Sequence, residues 1–198
     1  MKKQSIFVLA ICAVIFLANC NEQGPAVSKE KIESDFKKTN GFASVEAYGE
    51  HLVIICGCND CHTPKNMGPR GLELDSTRLL SGHPAKMPEI DIDRKAAGKK
   101  GLIITQDLTE WIGPWGTSYT ANLTPDETGL ATWNLDQFKL AIRQGKFHGM
   151  SNGRSLLPPM PWEFYRHLSD EEMAAVFAYL KSLPPVSNLV PAPLPPVQ

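Results

Sequence analysis

No cysteine follows Cys61 in this 198-residue chain. A structural zinc site needs a second ligand pair a dozen or more residues beyond the first, so the absence argues against zinc at Cys58 and Cys61. No βαβ pattern surrounds these cysteines, and the Gly/Pro-rich stretch after them argues against a thioredoxin-like dithiol. A surplus of charge is also missing: 20 basic side chains face 21 acidic ones, a formal charge of −1. That balance argues against nucleic acid as a partner and leaves protein docking open. There is no phosphate-cradling glycine loop, catalytic triad or metal-ligand cluster in the pattern of residues. The apolar run from Ile6 to Ala18 is too short to span a bilayer comfortably as a mature helix.

That run is informative in another way. Lys2 and Lys3 followed by Ile6 to Ala18 read as an export signal over residues 1–19. Leu17-Ala18-Asn19-Cys20 resembles a bacterial lipobox, with Asn19 standing where a small residue is usual. Lipidation of Cys20 would hold the protein at a membrane, with residues 20–43 as a polar tether. An ordinary signal peptide or an uncleaved anchor is the alternative. Each version places the chain in the bacterial cell envelope, on the periplasmic side. Loss of residues 1–19 leaves 18 basic against 21 acidic side chains, a formal charge of −3.

Cys58-Asn59-Asp60-Cys61-His62 is a C-x-x-C-H pattern. Two thiols at this spacing can add to the two vinyl groups of one porphyrin, and the adjacent histidine is then held beneath the iron as an axial ligand. The pattern is the attachment signature of a c-type haem. It occurs once, which implies one covalent haem c. Cys56 is left over; a small buried hydrophobe beside the haem is the expected role for it, and a reactive odd thiol is the alternative.

Around the motif the elements can be read from periodicity and caps. Ser44 caps a helix from about Val45 into Cys56, and Gly49 within it marks a close crossing by another element. From Thr63 to Thr120 the chain is a long Gly/Pro-rich stretch with turn markers at Gly68–Gly71, Gly82–Pro84 and Gly113–Gly116, and Leu102 to Thr105 as a short strand. Asn134 with Gln137 opens a helix that Gly145 stops, and Ser169 with Glu172 opens another that ends at Pro184-Pro185. Ala175 and Tyr179 lie on a stripe that can meet Gly49. The residues 186–198, with four further prolines, form an extended polyproline tail that either packs on the domain or stays mobile.

One histidine leaves the sixth iron position to be filled, and Met67, Met87, Met150, Met160, His83, His148 and His167 are the candidates. Leu157-Pro158-Pro159-Met160-Pro161-Trp162 favours Met160, because prolines on both sides fix the approach of the thioether. A C-x-x-C-H near the start, then a methionine loop and a terminal amphipathic helix, resembles the class I cytochromes c. The likeness extends to exported bacterial cytochromes c that serve periplasmic dehydrogenases. It rests on CNDCHTP at Cys58–Pro64, GPWGTSYTANLTPD at Gly113–Asp126, TGLATW at Thr128–Trp133, and the stretch from Leu157 to Pro185.

The resemblance implies a mainly α protein with the class I cytochrome c fold over residues 44–185 and a long Gly/Pro-rich insertion after the haem motif. It makes Cys58 and Cys61 the thioether attachments, His62 the proximal ligand and Met160 the distal one. The implied function is electron transport, not enzyme catalysis, between a dehydrogenase donor and a cytochrome or oxidase acceptor. Trp115, Tyr119 and Trp133 are candidate walls of the cleft, and Arg70, Arg78 or Arg143 could face a propionate. One rival is a haem enzyme or gas-binding sensor with a displaceable sixth ligand, peroxidase-like in chemistry, in which His83 or His148 would act. The other is a bound subunit of a larger dehydrogenase or oxidase complex, docked through the proline-rich tail or the insertion.

Overall fold

A computed structural model of the chain describes residues 41–197. The export signal, Cys12, Cys20 and the tether as far as Asn40 therefore lie outside the described residues. Helix α1 spans Val45–Ile55, with Ser44 accepting from the Ala47 amide as N-cap. Helix α2 is the single turn Cys58–His62, and α3 covers Arg94–Lys100 behind an Asp93 cap. Helix α4 is Leu135–Gln144, α5 is Trp162–Tyr165 and α6 is Asp170–Ser182. Both expected capping boxes are present, Asn134 with Gln137 and Ser169 with Glu172. Each joins two helix-end amides that would otherwise lack partners.

Leu52 and Val53 of α1 pack with Phe138 of α4 and with Met173, Val176 and Leu180 of α6. The crossing of α1 and α6 is close because Gly49 has no side chain. A Cβ there would lie 2.0 Å from the Ala175 carbonyl oxygen and 2.8 Å from Tyr179 Cβ. Arg143 at the end of α4 pairs with Asp170 at the start of α6, which Lys139 also reaches at 3.2 Å. These contacts set α4 beside α6, leaving the start of the next loop, at Gly145, under the ring of Trp162.

The Gly/Pro-rich stretch is more regular than its composition suggests, and the helices share the fold with two small antiparallel sheets. Strands β1 (Lys65–Gly68) and β2 (Gly71–Leu74) form one hairpin. Strands β3 (Ile103–Ile104), β4 (Glu110–Gly113) and β5 (Gly116–Tyr119) form the other sheet, in that order. Two of the three turn markers are the hairpin loops themselves, with Gly68 opposite Gly71 and Gly113 opposite Gly116. Strands of two to four residues are too short for alternation to register as a pattern, so a mainly α reading overlooks them.

The tail packs on this stretch. Leu194 bridges to Thr117 on the free edge of β5, with amide-to-carbonyl bonds of 2.9 and 3.0 Å in the two directions. Arg94 donates to the Pro195 carbonyl at 2.7 Å. Proline cannot donate to a ladder, so an edge position suits this segment. Among the described residues no helix is long and apolar enough to cross a membrane.

Candidate functional site

The C-x-x-C-H motif is presented by a sharp restart of the helical backbone. Cys56 caps the end of helix α1, and Gly57 turns the chain at φ +66°, a left-handed conformation that costs glycine little. Helix α2 then begins at once with Cys58. Residues three and four apart share a helix face, so Cys58, Cys61 and His62 project together. The Tyr165 hydroxyl donates to the Cys56 carbonyl at 2.5 Å, which ties α5 to the turn before the motif. Lys65 Nζ donates to the Asp60 carbonyl at 2.5 Å and the Asp107 carbonyl at 2.8 Å, joining α2 to the turn before β4.

Cys56, Cys58 and Cys61 are free thiols, each half-buried. Burial, aided by the neighbouring Cys56, pushes the Cys58 thiol up to about 12. Burial also raises Cys61, against the opposing charge of Lys65. Both are neutral thiols at neutral pH and therefore weak nucleophiles. Cys56 is raised as well, by burial first and then by the charge of Glu172, and it is half-buried beside the motif where the sequence suggested a buried position.

His62 Nδ1 lies 2.8 Å from the Ala121 carbonyl oxygen. A carbonyl can only accept, so Nδ1 carries the proton and Nε2 keeps its lone pair. Burial lowers the basicity of the ring, with the Ala121 bond acting in the opposite direction. The result is a neutral, oriented imidazole whose free nitrogen suits a metal, the arrangement in which an outer partner selects the ligating nitrogen.

The chain that provides Ala121 is held by a hydrogen-bonded ladder. Gly82 N donates to the His62 carbonyl at 2.8 Å, and Leu80 N donates to Thr63 Oγ1 at 2.9 Å. On the other side, His83 N donates to the Thr120 carbonyl at 2.9 Å and Leu123 N to the Leu80 carbonyl at 2.8 Å. Leu80 to His83 is thus the middle rung between the motif and the segment that orients its histidine. Gly82, at φ +77°, permits the approach: a Cβ would meet the Thr120 oxygen at 2.5 Å.

The methionine loop reaches the same segment. Ser118 Oγ donates to the Pro158 carbonyl at 2.6 Å and accepts from Trp115 Nε1 at 3.2 Å. Ser118 stands three residues before Ala121, a backbone separation of at most about 11 Å. One short run therefore grips the His62 side chain at one end and the Met160 loop at the other. Met160 itself is half-buried.

The other candidates are placed differently. Met67 on β1 is 71% exposed, and Met150, His148 and His167 are exposed too. Met87 is half-buried. His83 is buried and its Nδ1 meets Thr109 Oγ1 at 2.8 Å, while the Thr109 proton goes to Asp107 Oδ2. The Trp115 N–H is taken by Ser118, Tyr119 packs against the His83 ring at 4.8 Å, and Trp133 packs on the core. Arg70, Arg78 and Arg143 each face a carboxylate, at Glu73, Asp75 and Asp170. Sequence reasoning missed Ser118 and Ala121 as site residues. Every residue has a carbonyl, so the choice of Ala121 leaves no mark in composition or pattern.

Two thiols on one helical face, beside a histidine whose Nε2 is free for iron, are the donor set that a covalently attached haem requires, and the residues fit that group. No family model matches the chain. Among curated proteins it is 44% identical over 68 residues to the gluconate 2-dehydrogenase cytochrome c subunit of Pantoea cypripedii, covering 33% of this chain and 14% of that one. It is 36% identical over 134 residues to the fructose dehydrogenase cytochrome subunit of Gluconobacter japonicus, covering 67% and 20%. The chain is similar to cytochrome c subunits of dehydrogenases. A further relative, the diheme cytochrome c-type protein of Cereibacter sphaeroides, is 27% identical over 157 residues, covering 78% of this chain and 41% of its own length. The chain thus spans less than half the length of each of these relatives. Their names support electron transport with haem c and leave the number of haems open.

Proposed function

We propose that this protein is a c-type cytochrome that carries electrons in an exported, dehydrogenase-linked chain. One haem would be attached through Cys58 and Cys61, with His62 and Met160 as axial ligands. The observation that carries the reading is the Ser118–Ala121 run, which holds the His62 ring by a 2.8 Å bond and the methionine loop by a 2.6 Å bond. The names of the relatives support a dehydrogenase as donor. An export signal over residues 1–19 and a lipid at Cys20 would keep the domain at the periplasmic side of a membrane, with a cytochrome or oxidase as acceptor.

A bound haem supplies reversible one-electron chemistry, and Met/His ligation raises its potential. The residues supply placement. Ala121 fixes the tautomer and rotation of His62, so Nε2 is presented without reorganisation. The prolines flanking Met160 limit the approach of its thioether, and Ser118 anchors that loop to the same frame. Tyr165 and Lys65 hold the two ends of the attachment segment. Were His62 and Met160 both to hold the group, no place would be left for substrate, and partner contact would be a small transient interface.

The test is an optical spectrum of the exported protein, oxidised, reduced and then exposed to CO. A c-type reduced spectrum, a weak far-red band from sulfur-to-ferric-iron charge transfer and no CO shift are expected. Ready CO binding without that band would replace the carrier with an open-site enzyme or sensor.

A further inference from the structure

The residues after α6 have no part in the attachment motif or in the methionine loop, and yet they are bound side chain to backbone at the centre of the ladder. Asn188 Nδ2 donates to the Ser81 carbonyl at 2.7 Å and to the His83 carbonyl at 2.9 Å. Its Oδ1 accepts from the Ala85 amide at 2.9 Å. One amide side chain thus grips both carbonyls that flank Gly82, the residue whose amide holds the His62 carbonyl. On the opposite flank, Asn122 Nδ2 donates to the Val186 carbonyl at 2.8 Å, and the Val186 amide donates to Thr124 Oγ1 at 3.1 Å. The Asn188 amide donates to Thr128 Oγ1 at 3.0 Å. Asn122 is buried and is the next residue after Ala121. The three tail residues from Val186 to Asn188 therefore fasten the middle rung to the segment that accepts the His62 proton.

We infer that residues 186–188 are a strap, and that Asn188 is a positioning residue for His62, acting through Ser81–His83 and Thr120–Ala121 on the bond from His62 Nδ1 to the Ala121 carbonyl. The inference rests on the haem reading of His62. The physical link is direct: donation from Nδ1 makes the imidazole more electron-rich at Nε2, which favours the ferric form. Loosening the strap lengthens that bond and raises the reduction potential. A merely structural role would lower stability and leave the potential where it was.

The test uses the exported, haem-bearing full chain as wild type, Asn188→Ala, Asn188→Asp and, as a control, Leu189→Ala, whose side chain is 74% exposed. Three quantities are read in each: covalent haem by pyridine haemochrome, midpoint potential by optical titration, and the amide exchange rates of Gly82 and His83. Asn188→Ala is expected to keep covalent haem, raise the potential, speed exchange at both amides, and shift the ferrous His62 Nδ1–H resonance toward a weaker hydrogen bond. Leu189→Ala should match wild type. Asn188→Asp keeps the acceptor for Ala85 and loses both donors, so it should show the same faster exchange and weaker Nδ1–H hydrogen bond even if the alanine variant folds poorly; its added negative charge lowers the potential in its own right, so the potential is compared between wild type and Asn188→Ala. Faster exchange with an unchanged potential and Nδ1–H resonance would overturn the positioning role while leaving the haem reading intact. A wild-type protein without covalent haem would overturn the haem reading itself, and the inference with it.

Discussion

Gly49 on α1 meets the backbone of Ala175 on α6 so closely that a Cβ at position 49 would lie 2.0 Å from the Ala175 carbonyl oxygen. The obstacle is backbone, which cannot rotate away as a side-chain tip can. Gly49→Ala must therefore push α1 from α6, although alanine is the better helix former by about 1 kcal/mol. The expected net effect is a loss of about 3 kcal/mol, from overpacking. Urea denaturation checks it: an unchanged or higher midpoint would mean that the two helices do not cross at Gly49.

Cys58 and Cys61 share a helical face, and each can form one thioether. Replacing both with serine should abolish covalent haem, whereas replacing one should leave a single linkage. Pyridine haemochrome spectra after acid-acetone extraction distinguish the three cases. Full covalent haem in the double variant would overturn the attachment assignment.

Met160 stands in a loop held by Ser118. Met160→Ala should free the sixth position and leave attachment intact, so the far-red band disappears and CO binds the reduced protein. Ser118→Ala removes one hydrogen bond, worth about 1 kcal/mol, and should weaken the grip on that loop without altering attachment. CO binding intermediate between wild type and Met160→Ala is expected. Unchanged axial spectroscopy in Met160→Ala would move the ligand to Met87 or a histidine.

Asp75 gives a pH dependence of definite sign. Its carboxylate accepts from the Thr77 hydroxyl at 2.6 Å, the Thr77 amide at 3.0 Å and Arg78 Nε at 2.8 Å. The Thr77 hydroxyl bond is the largest influence holding it well below the usual carboxylate range, opposed by burial and assisted by Arg78. A depressed carboxylate adds stability above its unfolded pKa, near 3.9, and that stability is lost as pH falls through the folded value. Asp75→Asn should therefore cost about 1–2 kcal/mol at pH 7, and the difference from wild type should shrink as pH falls below about 4. A difference that is constant from pH 7 to pH 3 would show that the charge of Asp75 contributes nothing.

Some of the architecture is legible in the residues alone. The helix starts at Ser44, Asn134 and Ser169 were readable because capping depends on residues within one turn of each other. The crossing at Gly49 was foreseeable because a glycine inside a helix needs a reason, and Ala175 and Tyr179 supply it. The five strands were not readable, apart from Ile103–Ile104, because runs this short carry no periodicity. The tail is legible as extended, while its attachment is one of two readings the residues leave open, and the structure chooses it. Its bonds run to residues some sixty and a hundred positions away, Asn188 to Thr128 and to Ser81 among them.

The chemistry that depends on near neighbours is written in the chain: two thiols and an imidazole at helical spacing, the caps, and the glycines that turn the hairpins. These follow from covalent geometry and one or two turns of backbone, so a short string of letters specifies them. Which carbonyl orients His62, which hydroxyl holds the Met160 loop, and where the proline-rich tail is fastened depend on long-range packing. Ala121 acts through a main-chain oxygen that every residue possesses, and Asn188 acts on two more. Such contacts are chosen by how distant segments pack, and no residue type announces them.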